Sequence, residues 1–242
     1  MNNASPFELN FWPAFADLML ALVLILTVIL FCAVAVVTAG TEDTGPIRES
    51  QRRIIESIAE GYRFNVPNLG SGDAALPKRV PLPIGGDTLS VKNNLSTQRI
   101  TFSSSVLFPK GDYELQARGR SVLQRVGRAL KREAGAIKSI QIQGYTDTDP
   151  TGSRYRSNLH LGAYRAIEVF RFLQNEIGIS PMRQMISVSS FGKYMPVQRS
   201  QLSHGAYSPA RLSEHNSTPA EKRRNRRIEL LLTYADEAER QE

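Results

Sequence analysis

IKSIQIQGYTDTDP, residues 137–150, is the stretch whose reading decides the fold. Ile140 and Ile142 alternate with Gln141 and Gln143, the period of a strand with one buried face. Gly144 then lets the chain turn, and Asp147 is presented at the sheet's end, where α/β sheets tend to bind ligands. The chain goes on into a helix over residues 158–176 with Leu161, Ala166, Val169, Phe170 and Leu173 facing inward. Working outward, RITFSSSVLF (99–108) reads as an earlier strand, closed by the turn Pro109-Lys110-Gly111-Asp112. An Arg-rich helix over 113–133 carries an apolar stripe through Leu115, Val122, Val126 and Leu130. QMISVSSFG (184–192) is a third strand, residues 192–225 are a long polar segment, and RRIELLLTY (226–234) is a fourth strand. Strands alternating with helices imply helices packed on one sheet. The last strand arrives after a long loop and need not run parallel to the others.

The N-terminal third is of another kind. LMLALVLILTVILFCAVAVV (18–37) is uncharged over the ~20 residues a helix needs to cross a hydrocarbon core. A transmembrane helix is expected over 11–39, with residues 1–10 before it. Asp17 lies just inside its start. An ionised carboxylate facing lipid deep in the helix costs at least about 2.5 kcal/mol, so such residues face protein or water and often mark an ion path. The alternative is an aspartate at the membrane surface that N-caps the helix. Phe11, Trp12 and Phe15 favour the first reading, since aromatic residues gather at the headgroups and place that level upstream of Asp17. A cleaved signal peptide fits poorly: the n-region carries no Lys or Arg, and the apolar run continues past Ala33-Val34-Ala35. Arg48, Arg52 and Arg53 come after the span and nothing basic precedes it, a count that by itself would leave the C-terminal part in the cytoplasm.

Composition bounds the rest. A chain of 242 residues leaves room for one folded domain beyond the span. The net charge of +7 is spread over single Lys and Arg residues and suits an anionic partner without choosing one. The single cysteine, Cys32, falls in the apolar span and forms no internal disulfide. Residues 40–97 are expected to be a linker. A short amphipathic helix near 47–60 carries Ile47, Ile54, Ile55 and Ile58 at helical spacing, and Pro67, Pro77, Pro81 and Pro83 break the next stretch into one or two short strands at most. That helix is either a connector or a face for a partner or the membrane surface.

No phosphate-binding loop, dinucleotide fingerprint, CxxC pair or HExxH helix is present, and His160, His204 and His215 have no metal-site spacing. Asp147 and Asp149 on one turn do not set the carboxylate separation that glycoside cleavage needs. The chain is therefore expected not to be an enzyme. What it offers is Asp147 on its loop and Arg165 two turns into the next helix. Together they could take the amine and the carboxylate of an amino acid, or form a structural salt bridge between loop and helix.

GYTDTDP, SNLHLGAYRA and NSTPAEKRRNRRIEL, in that order, resemble the peptidoglycan-binding signature of the OmpA/MotB family, roughly G-[HY]-T-D, N-x-x-L-S-x-x-R-A and N-R-R-[VI]-E. The resemblance covers about residues 98–234, leaving 235–242 as a tail. It implies a single N-terminal transmembrane α-helix plus a C-terminal α/β domain, OmpA-like, with a βαβαββ-type mixed sheet. It also implies that Asp147 and Arg165 hold the diaminopimelate of the wall's peptide stem, with Asn158 and Leu161 at the other signature positions. Gly162 stands where the family has serine. The basic run Lys222 to Arg227 becomes the start of the last strand, with no nucleic acid as partner.

FWPAFADLMLAL resembles the entry of a MotB-type stator helix, in which the aspartate carries the transported ion. Among motor-like families the combination is most similar to the ZorB proteins of Zorya anti-phage systems, with flagellar MotB as the alternative. That resemblance implies a homodimer inside a pentameric MotA-like or ZorA-like membrane partner in the bacterial inner membrane, N-terminus cytoplasmic and domain periplasmic. It implies no cofactor beyond a transported H⁺ or Na⁺. A passive membrane-to-wall tether is the competing expectation.

Overall fold

The computed structural model describes residues 12–39, 45–61, 78–81, 88–199 and 207–235. The chain divides into two compact units, Met1–Asp43 and Thr44–Glu242.

The first unit is one helix, α1 (Trp12–Ala39). Its 28 residues measure about 42 Å at 1.5 Å per residue, longer than a hydrocarbon core. The stretch Trp12–Ala35 has the length and composition of a membrane span. Thr27, the one hydroxyl in that stretch, donates to the carbonyl of Leu24 at 2.8 Å, so its polarity is satisfied within the helix. Trp12 and Phe15 meet edge to face, 6.2 Å apart. Asp17 lies beyond the first helical turn, which contains no acidic residue. The N-cap alternative therefore fails, because a cap flanks the first turn and Asp17 sits inside the helix body.

The second unit is built on a six-stranded mixed sheet: β1 (Lys78–Pro81), β2 (Thr88–Asn93), β3 (Thr97–Ser103), β4 (Ile137–Tyr145), β5 (Met185–Gly192) and β6 (Arg227–Tyr234). Its α-helices are α2 (Gly45–Gly61), α3 (Ser104–Leu107), α4 (Ala117–Arg132), α5 (Asn158–Phe172), α6 (Pro209–Glu214) and α7 (Pro219–Asn225). In space the strand order is β1-β2-β3-β6-β4-β5. β4 and β5 run parallel, as a strand–helix–strand crossover requires. β6 inserts between β3 and β4 and is antiparallel to both. Strand β3 alternates regularly, with Gln98, Ile100 and Phe102 buried. Helix α4 presents Val122, Val126 and Leu130 to the core, as its spacing predicts. Helix α5 buries Leu161, Ala166 and Val169, but Phe172 takes the inward place expected of Phe170, which is only partly buried. The helix runs on into a π-helical turn, Leu173–Ile177, stopped by Gly178 at φ +77°.

The described residues of the expected linker 40–97, which are 45–61, 78–81 and 88–97, belong to the folded domain; the rest of that stretch lies outside the described residues. Helix α2 belongs to the compact second unit, and Ile54, Ile55 and Ile58 are fully buried in its core. Gln51 donates to the carbonyls of Asn94 (2.9 Å) and Thr97 (3.2 Å), and Gln98 returns a bond to the Gln51 carbonyl at 3.0 Å. Arg53 bridges to Glu133 at 2.8 Å, just past the end of α4. The isoleucine stripe is legible in the sequence, but its destination is not: it covers the domain's own apolar surface, so it is not a face for the membrane. The proline-broken stretch likewise supplies β1 and β2, which extend the expected four-stranded sheet by two.

Candidate functional site

The loop after β4 sits beside the start of α5 because two glycines let the elements touch. A Cβ on Gly144 would lie 2.0 Å from the carbonyl oxygen of Gly162, and one on Gly162 would lie 2.4 Å from the hydroxyl of Ser190. Ser190, on β5, donates that hydroxyl to the Leu159 carbonyl at 2.8 Å. The departure at residue 162 thus has a structural reason. The neighbouring strand's hydroxyl occupies the space a serine side chain would need, and it binds the first turn of the helix.

The four residues singled out from the sequence meet on one cleft of about 610 Å³: Asp147, Asn158, Leu161 and Arg165 all line it. Asn158 acts on the loop itself, its amide donating to the carbonyls of Asp147 and Asp149, each at 3.1 Å. Leu161 contributes a buried apolar wall. Asp147 is only 4% exposed, and its Oδ1 accepts from the Asp149 amide at 3.2 Å. Thr146 anchors the strand end through its amide to the Gly192 carbonyl at 2.9 Å.

Asp147 and Arg165 do not pair with each other among the described residues. The ion partner of Asp147 is Arg226, and Lys222 holds Asp149 at 2.6 Å. Both cations come from α7 and the residue after it. Thr218 and Glu221 form a capping box that starts this helix. The fully buried Asn225 ends it, donating to the carbonyl of His215 and the side chain of Asn216 at 2.8 Å each and accepting from the Val197 amide at 3.0 Å. Arg226 is therefore delivered to the loop by a fixed turn. Sequence reasoning places this basic run only at the start of β6; the signal that could have found it is NRRIE, the third motif.

Arg165 is the unbalanced charge of the cleft. It is 3% exposed, donates Nε to the Asp112 carbonyl at 2.8 Å, and lies over the Phe108 ring at 5.3 Å. Burial pulls its pKa down to about 10, against the upward influence of Tyr155 and Asp147, so it is still a cation at neutral pH. No carboxylate lies within ion-pair distance of it among the described residues. Along the lining, Lys110, Arg165, Arg223 and Arg226 oppose Asp147 and Asp149, an excess of two positive charges. A carboxylate offers about four acceptor sites, and Asp147 uses two on Arg226 and Asp149. The cleft thus suits a zwitterion: an anionic group on Arg165, and an ammonium on the remaining sites of Asp147.

On the far side of the sheet Arg227, the next residue, lies over Tyr145 at 3.7 Å and pairs with Glu229 at 2.7 Å. This arginine does not line the cleft.

Residues 107–209 match the model of the OmpA family. Over 233 residues, 94% of this chain and 81% of the relative, the chain is 24% identical to the Zorya protein ZorB of Escherichia coli O139:H28. Among solved structures, the periplasmic domain of Helicobacter pylori MotB superposes with a TM-score of 0.52 at 19% identity, covering 65% of this chain and 86% of that one. A MotB-like protein from Desulfovibrio vulgaris superposes with a TM-score of 0.55 at 20% identity, covering 79% and 99%. The C-terminal unit is an OmpA-like domain with the fold of MotB periplasmic domains.

Proposed function

We propose that this chain is a wall-anchored, membrane-spanning subunit of a stator-type ion motor, of the kind found in Zorya anti-phage defence. The observation that carries the reading is Asp17, the one charged side chain between Trp12 and Ala35, set beyond the first turn of an apolar helix. An ionisable residue so placed faces protein or water and serves as a functional group. The likeness to ZorB over nearly the whole chain, span included, supports the same reading.

Two copies stand inside a pentameric membrane partner, N-termini cytoplasmic and domains periplasmic. Asp17 takes up H⁺ or Na⁺ from one side and releases it to the other as the partner's helices move past. One elementary charge crossing 100 mV supplies about 2.3 kcal/mol to that motion. For motion to become torque the inner dimer must be held still, and the cleft does this by gripping the diaminopimelate of a peptidoglycan stem between Asp147 and Arg165. Arg226 and Asn158 keep Asp147 in place.

Asp17→Asn separates the motor from a passive tether. In cells co-expressing the proposed pentameric membrane partner, the variant is expected to lose ion conductance and phage protection while still inserting and sedimenting with peptidoglycan sacculi. Unchanged protection would leave only the tether. Asp147→Asn is expected to do the reverse to sedimentation, losing it with insertion intact.

A further inference from the structure

Beside the cleft lies a cluster of side chains that stem binding does not use. Tyr113, Tyr155 and Tyr164 come from three separate segments and meet with centroids 6.2 Å (113–155), 5.4 Å (113–164) and 6.0 Å (155–164) apart. Arg154 lies over Tyr113 at 5.5 Å and Tyr155 at 5.7 Å and pairs with Asp112 at 3.2 Å. Tyr164 is 47% exposed and the Arg154 side chain 55%, so this is a surface and not a piece of core. Tyr155 is the exception: it is 6% exposed, and its hydroxyl has no hydrogen-bond partner among the described residues.

The cluster is continuous with the cleft. Gly111, Thr151 and Arg165 line the cleft, and each belongs to a segment that carries one of the tyrosines. Thr151 donates to the Tyr155 carbonyl at 3.3 Å, and Arg165 to the carbonyl of Asp112, next to Tyr113. A ligand reaching out of the cleft on this side meets the exposed Tyr164 ring, beside the Arg154 guanidinium that lies over Tyr113 and Tyr155 and pairs with Asp112. That is the chemistry of a sugar ring: its C–H face packs on an aromatic plane, and its hydroxyls take hydrogen bonds at the edge.

We infer that Tyr113, Tyr155 and Tyr164, with Arg154 and Asp112, form a saccharide subsite that packs a pyranose ring of the wall's glycan strand while its peptide stem occupies the cleft. The inference rests on the wall-binding reading and adds to it the part of the polymer that reading leaves unbound. Tyr164 gives the stacking face, and Arg154 and Asp112 bind hydroxyls at the rim.

The test compares two probes on the purified full-length chain: a disaccharide-tripeptide released from peptidoglycan, and the free diaminopimelate-containing tripeptide. Tyr164→Ala is expected to weaken the disaccharide-peptide by about tenfold and leave the free peptide unchanged, with Tyr164→Trp restoring the loss. Equal weakening of both probes would make Tyr164 a structural residue and overturn the subsite. No weakening of either, or wild-type protein binding both probes equally, would also overturn it while leaving the wall reading intact. Wild-type protein that binds neither probe would overturn the wall reading, and the subsite with it.

Discussion

The two units carry the carboxylates proposed to function, Asp17 and Asp147, in opposite ways. Along α1 every described side chain from Trp12 to Ala35 is exposed, and Asp17 has no partner among the described residues. In the domain, Ile54, Ile100, Leu123 and Ile142 are fully buried, and Asp147 is held by Arg226, by the Asp149 amide and by a loop that Asn158 clamps. The domain supplies its own core and its own counter-charges. The helix supplies neither; in the proposed motor, lipid and partner helices complete it. A binding site is improved by such fixing, since a held carboxylate loses little freedom when the ligand arrives. In the proposed motor Asp17 must load and unload an ion, and such a group is better left to surroundings that change.

That contrast can be broken most severely at the contact between β4 and α5. Gly144→Ala places a methyl against the Gly162 carbonyl, a backbone atom that cannot swing away, and is expected to cost about 3 kcal/mol or more in denaturant unfolding of the domain. Gly162→Ser meets chiefly the hydroxyl of Ser190, with the Gly144 carbonyl oxygen farther off at 3.2 Å, so its smaller loss is expected to be partly recovered by adding Ser190→Gly. Failure of that rescue would mean the hydroxyl is not what fills the space.

Ile55→Ala sharpens the boundary between the units. With α2 in the core, it is expected to destabilise the domain by about 2–4 kcal/mol, whereas Leu24→Ala in α1 leaves domain unfolding unchanged. An Ile55→Ala domain with wild-type stability would return α2 to the status of a linker.

Arg226→Ala tests the holding of Asp147 and is expected to cost about 1–2 kcal/mol, because a buried carboxylate loses its partner while the arginine itself is partly solvated. Stem-peptide affinity, measured by calorimetry, should fall with it.

The smallest effect is acid weakening of the α2 contact. The hydrogen bond from Arg53 holds the Glu133 carboxyl below its ordinary 4.5, against the opposing effect of burial. Its contribution is therefore complete above that value and lost as pH falls through the depressed one. With Arg53 half exposed, it amounts to less than about 1 kcal/mol. The drop in unfolding midpoint between about pH 6 and about pH 3 should be smaller in Glu133→Gln than in wild type.

What was legible in the sequence was local. Uncharged length defines the span, period-two and helical spacings define four strands and the helices between them, and three short motifs mark Asp147, Asn158, Leu161 and Arg165. Each of these is written in residues close together along the chain, where periodicity acts. Tertiary structure alone decided the rest: that α2 spends its isoleucines on the domain's core, that Asp147 is paired by Arg226 while Arg165 is left as an unbalanced cation, and that Ser190 fills the place beside Gly162. These choices set residues tens of positions apart against one another. A stripe or a charge announces that it needs a partner, but which surface or counter-charge meets that need is decided only when the sheet brings β6, α7 and α5 to the same edge.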